Sequence, residues 1–192
     1  MNVHRPLTRL AHELLTPYLS TGDIAVDATA GNGHDTLFLA QQVGPTGRVH
    51  AFDIQSSALD STRERLRQAA CETPLRLHPV SHAEMLHQLP TDLRGRVAAI
   101  TFNLGYLPGA DRQTVTHGES TLAALRQSLL LLRPGGALSV LAYRGHPGGR
   151  EEALAVGDWC EQEVTLDHQA HESPGPILHF CTFRNEGRSP GE

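Results

Sequence analysis

The chain contains no lysine: all sixteen of its basic residues are arginine. That absence excludes Schiff-base chemistry and the lysine of a phosphate-binding P-loop. Cysteine is scarce as well. Cys71, Cys160 and Cys181 are odd in number and far apart, which argues against a disulfide framework and for a reducing, cytoplasmic compartment. No apolar run approaches the roughly 20 residues that span a bilayer. Arg5 and Arg9 have no apolar stretch behind them of the kind a signal peptide needs, so no membrane partner is expected. Excess positive charge is also missing. At a formal net charge of -5 the chain is no general polyanion binder, and a nucleic-acid partner needs a local basic face.

What is present fits one domain. A chain of 192 residues can bury a sizeable core, and no repeat, low-complexity tract or linker divides it, so residues 1–192 read as a single unit. Leu7 to Leu19 has its apolar residues on one helix face, with Pro17 weakening the last turn. Strands are expected at Ile24–Asp27, Arg48–Phe52, Leu75–His78, Val97–Phe102 and Ala137–Tyr143. Helices are expected from Asp35 to Gln41, Ser56 to Ala70, Ala83 to Leu89, Ser120 to Leu132 and Arg150 to Glu161. Val164–Ala170 and Ile177–Phe183 read as a closing strand pair. Such alternation gives a doubly wound α/β sheet, mostly parallel with an antiparallel terminal strand and helices on both faces. Ligands of such sheets sit outside the carboxyl ends of the strands.

Chemistry concentrates at that edge. The run Ile24-Ala25-Val26-Asp27-Ala28-Thr29-Ala30-Gly31-Asn32-Gly33-His34-Asp35 reads as a buried strand, a glycine turn and the first turn of a helix. Glycine lets backbone approach a ligand, and the helix aims its first amides at the same place. Asp53 ends the second strand about 20 residues later, the position of an acid that grips a ribose diol. Together they point to an adenosine-containing cofactor. A dinucleotide fingerprint wants a third glycine, and Leu37 and Phe38 stand there instead. Asp27 with the looser Gly31-x-Gly33 fits S-adenosylmethionine better.

The loop Asn103-Leu104-Gly105-Tyr106 follows the fourth strand and resembles the Asn-Pro-Pro-Tyr loop of enzymes that methylate amine nitrogens. An Asn carbonyl accepts a hydrogen bond from an amine, and a Tyr ring stacks on a base beside a positive charge. Leu-Gly replaces Pro-Pro here, which bears on loop rigidity. His78, His82 and His87 show no zinc spacing, and His168 and His171 are followed by no cysteine or acid pair at ligand geometry, so no metal is expected.

Four longer stretches carry a closer resemblance: Asp27 to Ala40, Ala51 to Gln55, Phe102 to Gly109 and Tyr143 to Gly149. They resemble the YtqB/MnmM family of class I methyltransferases, small proteins long described as rRNA methylases. The likeness spans about Leu7 to Phe183; Ala30 and Ala110 depart from the family pattern without touching its polar positions. The resemblance implies a Rossmann-like fold and methyl transfer from S-adenosylmethionine. The implied substrate is the amine of 5-aminomethyl-2-thiouridine at the wobble position, in a tRNA anticodon stem-loop. It further implies that Asp53 binds the ribose, with Gln55 at the adenine edge and Ser81 and His82 flanking the ring. Asp27, Gly31, Asn32, Gly33 and His34 would surround the methionine portion. Asn103, Gly105 and Tyr106 would hold amine and base against the cofactor, with Asn103 and Tyr106 catalytic. Tyr143, Arg144 and His146 would meet the nucleotide, with His146 a candidate proton acceptor. Arg112, Arg144 and Arg150 are the basic residues nearest that edge, while Arg63, Arg65 and Arg67 read as a solvated helix face. A methyltransferase for rRNA or a small amine, and a cofactor-binding module without catalysis, remain the alternatives. The apolar faces of the terminal strands make a homodimer surface the further expectation.

Overall fold

The computed structural model describes residues 5–105 and 118–184. Its centre is a seven-stranded sheet in the order β3-β2-β1-β4-β5-β7-β6. The strands are β1 (Ile24–Asp27), β2 (Arg48–Phe52), β3 (Leu75–His78), β4 (Val97–Leu104), β5 (Leu132–Tyr143), β6 (Leu166–Glu172) and β7 (Pro176–Phe183). The first five pair in parallel, so their carboxyl ends share one edge. The hairpin β6–β7 then closes the sheet antiparallel against β5. The chain order reverses beside β1, between β2 and β4, which is where a doubly wound sheet opens its ligand crevice.

Alternation along the strands divides the core. Ala25, Val49, Ala99 and Phe180 face one side, packed with Leu15 of α1 (Leu7–Leu15), Leu39 and Val43 of α2 (His34–Val43), and Leu66 of α3 (Ser56–Gln68). Val26, Phe52, Ile100, Phe102 and Val140 face the other. There they meet Met85 of α4 (Met85–Gln88), Leu125 of α5 (Gly118–Leu131) and Val156 of α6 (Gly149–Gln162). Central parallel strands covered on both sides explain why Val97–Phe102 is apolar without a break.

Several boundaries differ from the periodicity, each for a local reason. Pro17 ends α1 early, and Thr16–Tyr18 continue as one tight 3-10 turn. The expected helix Ala83–Leu89 is instead a 3-10 turn at His82–Glu84 followed by the four-residue α4. β4 runs two residues past Phe102, so Asn103 and Leu104 pair with Leu141 and Ala142 rather than lying in a loop. β5 starts at Leu132, before the Pro134-Gly135-Gly136 run, with an irregularity in its pairing. There Arg133 forms a two-pronged ion pair with Asp23, at 2.6 and 3.0 Å, tying the start of β1 to the start of β5. Among the described residues no helix is long and apolar enough to cross a membrane.

Candidate active site

The glycine turn is built by contacts from three directions. Gly31 and Gly33 adopt φ of +51° and +77°, the left-handed region where a side chain is strained. Asp53, at the tip of β2, accepts the Gly31 N–H at 2.9 Å on one carboxylate oxygen and the Gln55 N–H at 2.9 Å on the other. It thereby joins the turn after β1 to the start of α3. From α3, Thr62 donates to the Gly31 carbonyl at 3.1 Å, and Arg65 donates its Nε–H to the Asn32 carbonyl at 2.5 Å. Arg65 is therefore not part of a solvated face, as the sequence implied. Arg63 and Arg67 are, paired on their own helix with Asp60 and Glu64.

Asp27 is wholly buried. Its oxygens accept the Thr29 N–H at 3.1 Å and the Thr36 hydroxyl at 2.5 Å, so it holds the turn to the first turn of α2. Burial, and next the charge of Asp35, push its carboxyl up to about 7, while the bonds from Thr36 and Thr29 oppose that rise. His34 opens α2 and is exposed. Ser81 uses its hydroxyl to accept the Ala83 N–H at 3.2 Å, capping the short turn after β3. His82 is buried edge-on against Phe102, with ring centroids 5.7 Å apart. Burial pulls its imidazole down to about 4. Its Nε2 is enclosed without a hydrogen-bond partner, a donor-or-acceptor atom waiting beside the crevice.

Asn103 is held at both ends. Its backbone N–H donates to Thr29 Oγ1 at 2.6 Å, and its side-chain Nδ2 donates to Asp35 Oδ2 at 3.2 Å. A carboxylate only accepts, so the amide must turn its nitrogen to Asp35 and keep Oδ1 as its acceptor end. The other oxygen of Asp35 meets His12 Nε2 at 2.6 Å, which fixes the proton of that ring on Nε2 by the same logic. His12 lies flat on Phe38, centroids 4.0 Å apart and planes 2° from parallel. Tyr143 packs beside Gly105, whose missing Cβ would stand 3.5 Å from it. Burial, then the Asp35 charge, raise the Tyr143 phenol.

The structure thus brings Asn103, Gly105 and Tyr143 to the glycine turn, and adds Asp35, His12 and Thr29, which the sequence reading missed. Asp35 reads as an ordinary first-turn acid of a helix. The signal that singles it out is the order of the sheet, in which β4 lies next to β1.

His146 and Arg144 make contacts within the fold. His146 Nδ1 donates to the Pro147 carbonyl at 3.1 Å, and the ring is buried against Gly149, where a Cβ would lie 2.7 Å from Nε2. Arg144 donates to the Gly175 carbonyl at 3.0 Å and to the Ser173 carbonyl, bracing the β6–β7 turn. Tyr106 and Arg112 lie outside the described residues. A second cluster lies away from this edge. His168, which no cysteine or acid pair follows at ligand spacing in the sequence, lies beside His179 and Cys160, with ligand atoms of all three within 4.8 Å of one another.

Known proteins match across this architecture. A family model described as "Putative rRNA methylase" matches residues 49–173. A "tRNA (mnm(5)s(2)U34)-methyltransferase, chloroplastic" of Arabidopsis thaliana is 39% identical, over 93% of this chain and 69% of that protein. A crystal structure titled as a putative rRNA-methylase from Clostridium thermocellum superposes with a TM-score of 0.86 at 32% identity, covering 95% of this chain and all of that one. A putative methyltransferase from Streptococcus mutans, solved in complex with SAH, superposes with a TM-score of 0.81 at 31% identity, over 94% and 99% of the two chains. By its family match and these relatives over nearly its whole length, the chain belongs to the YtqB/MnmM family of class I, S-adenosylmethionine-dependent methyltransferases.

Proposed function

We propose that this enzyme methylates the exocyclic amine of 5-aminomethyl-2-thiouridine at the wobble position of tRNA, giving 5-methylaminomethyl-2-thiouridine. The Arabidopsis relative carries an activity of that name. The observation that carries the proposal is the double anchoring of Asn103 at the end of β4, by Thr29 and by Asp35.

The residues fit S-adenosylmethionine. Asp53 offers a carboxylate whose two oxygens each accept one backbone N–H and keep a lone pair for the ribose hydroxyls. Gly31, Asn32, Gly33 and His34 frame the methionine portion, with Asp27 shaping that turn from beneath. Gln55, Ser81 and His82 border the adenine. The cofactor, when bound, supplies an activated methyl group on a sulfonium. Asp35 and Asp53 lie near Asp27 at this edge, an acidic setting that suits a sulfonium.

Asn103 accepts a hydrogen bond from the substrate amine through Oδ1 and so aims its lone pair along the transfer line. Positioning of this kind supplies roughly 7–11 kcal/mol of barrier reduction. Asp35 polarises the Asn103 amide from behind and offsets the positive charge that grows on nitrogen as its new bond to carbon forms. His12 holds Asp35 in place. Gly105 and Tyr143 border the base, and Tyr106 is the candidate to stack on it. Arg112 and Arg150 supply phosphate contacts, giving modest, salt-sensitive affinity.

The test is methyl transfer from labelled S-adenosylmethionine to tRNA of cells lacking this gene, with mass analysis of the nucleosides. One added methyl on 5-aminomethyl-2-thiouridine, lost in Asn103→Ala while cofactor binding persists, supports the proposal. Unlabelled tRNA with intact cofactor binding overturns the substrate and turns the search to rRNA or small amines.

A further inference from the structure

A second cluster lies away from the methyl-transfer edge, and the proposed reaction leaves it unused. His168 of β6 stands opposite Cys181 of β7, and Ala170 opposite His179. His179 and Cys181 are two residues apart on one strand, so His168, His179 and Cys181 leave the same face of the hairpin. α6 packs on that face. Gly157 of α6 comes so close that a Cβ there would stand 3.3 Å from His179 Cε1. Three residues on, about one helical turn, Cys160 brings its sulfur to the same place. Cys160 Sγ and one ring nitrogen from each of His168 and His179 all lie within 4.8 Å of one another.

The cluster is unusual for the interior it occupies. Cys160 is 1% and His179 4% exposed, at a helix–sheet contact where aliphatic side chains would pack without polar atoms. His168 Nε2 and His179 Nδ1 stand 3.0 Å apart. His179 Nε2 is buried without a hydrogen-bond partner. An atom of that kind costs about 1–3 kcal/mol unless something satisfies it.

We propose that Cys160, His168 and His179 form a structural zinc site that clamps α6 to the terminal hairpin. One thiolate and two imidazoles are a borderline-soft donor set, which suits Zn2+ over Mg2+ or Ca2+. With Zn–N near 2.0–2.1 Å and Zn–S near 2.3 Å, tetrahedral ligands stand roughly 3.3–3.6 Å apart. With their ligand atoms already within 4.8 Å of one another, the three groups reach that spacing by modest side-chain adjustment. Cys181, fully buried and opposite His168 on β7, is the candidate fourth ligand. On binding, the Cys160 thiol forms a sulfur–zinc bond and releases its proton to solvent. Half-exposed His168 on the edge strand gives the ion its way in. His179 pairs with Val140 in the middle of β5, away from the strand tips, so the site braces the fold and takes no part in methyl transfer.

The experiment titrates the untagged, chelator-stripped chain with Zn2+ in competition with a chromophoric chelator, and repeats the titration with Co2+. We expect one tight equivalent, a thiolate-to-cobalt charge-transfer band, and a rise in Tm that EDTA reverses. His168→Gln and Cys160→Ser, each verified as folded by circular dichroism, should weaken binding roughly 10–100-fold or more. Absence of a tight equivalent overturns the site. So does uptake that both variants leave unchanged, because twelve histidines offer other places for an adventitious ion.

Discussion

The carboxylate of Asp35 stands between His12 and Asn103, bonded to the first at 2.6 Å and to the second at 3.2 Å. One acid at the start of α2 therefore fixes both the amide orientation at the end of β4 and the proton position on a ring of α1. Asp35→Asn keeps the shape and removes the charge. We expect kcat for methyl transfer to fall about 10²-fold, the loss expected when a reacting group is misplaced by an ångström. KM for tRNA and the cofactor Kd should change far less. Single-turnover kinetics with separately measured cofactor binding make the check, and a variant with wild-type kcat would remove Asp35 from the proposal.

Arg65 supports the cofactor turn from α3 through the Asn32 carbonyl. Arg65→Ala should weaken cofactor binding up to about tenfold, near 1.4 kcal/mol, the scale of one charge-assisted hydrogen bond. Arg63→Ala is the control, since Arg63 pairs with Asp60 on its own helix surface. Calorimetric titration with S-adenosylhomocysteine separates the two variants; equal effects would mean that Arg65 acts by charge alone.

Gly33 is the least replaceable residue of the turn. Its φ is +77°, and a Cβ there would stand 2.7 Å from Thr62 Cα, a backbone atom. Gly33→Ala should cost about 1–3 kcal/mol from the strained conformation, with the clash added. Trimming Thr62 to Gly in the double variant leaves the 2.7 Å contact in place, so it should not restore stability. Denaturant unfolding of both variants tests this, and recovery in the double variant would locate the clash in the Thr62 side chain.

Acid should loosen the fold before it reaches the carboxylates. Burial holds His50 and His82 at about 4 each, against an ordinary value of 6.5. Between those values the unfolded chain binds protons that the folded chain refuses. Their stabilising contribution is complete above about 6.5 and is lost as pH falls through about 4. Asp27 has the opposite sign. Its carboxyl rises from 3.8 to about 7, so its contribution is complete below 3.8 and lost as pH rises through 7. Two histidines outweigh one acid, so unfolding free energy should drop between pH 6.5 and 4.5. His50→Gln, which removes the 3.0 Å contact with His78, should flatten that slope. A slope unchanged by the substitution would assign the proton uptake to other groups.

The two ends of Arg133's bond lie 110 residues apart, Asp23 before β1 and Arg133 at the start of β5. The guanidinium also donates to the Tyr18 carbonyl at 3.1 Å. Arg133→Ala should destabilise the fold by about 1–3 kcal/mol, leaving Asp23 half-enclosed without its partner. Thermal unfolding measures it; an unchanged Tm would mean that solvent replaces the guanidinium at no cost.

Much of the site was legible in the sequence because it is local. Asp27, Gly31, Gly33 and Asp53 sit at the ends of strands whose apolar runs are plain, and turn chemistry acts over two to four residues. The loop after the fourth strand was legible as chemistry but not as structure. Asn103 is the penultimate residue of β4, because pairing with Leu141 extends the strand beyond its apolar run. His146 and Arg144 also bond to carbonyls of Pro147, Ser173 and Gly175, contacts that no spacing announces.

The sequence by itself determined the strand–helix alternation, the edge where ligand chemistry gathers, and the family. Period-2 and period-3.6 apolar patterns and glycine turns are properties of neighbouring residues. Only the tertiary structure decided which distant side chains meet. Asp35 reaches Asn103 across 68 residues because β4 is laid beside β1. Cys160, His168 and His179 converge because the antiparallel register turns both histidines to the face that α6 covers. Strand order and register are collective outcomes of burying both faces of the sheet, and a one-residue slip would send each of those side chains to the opposite face.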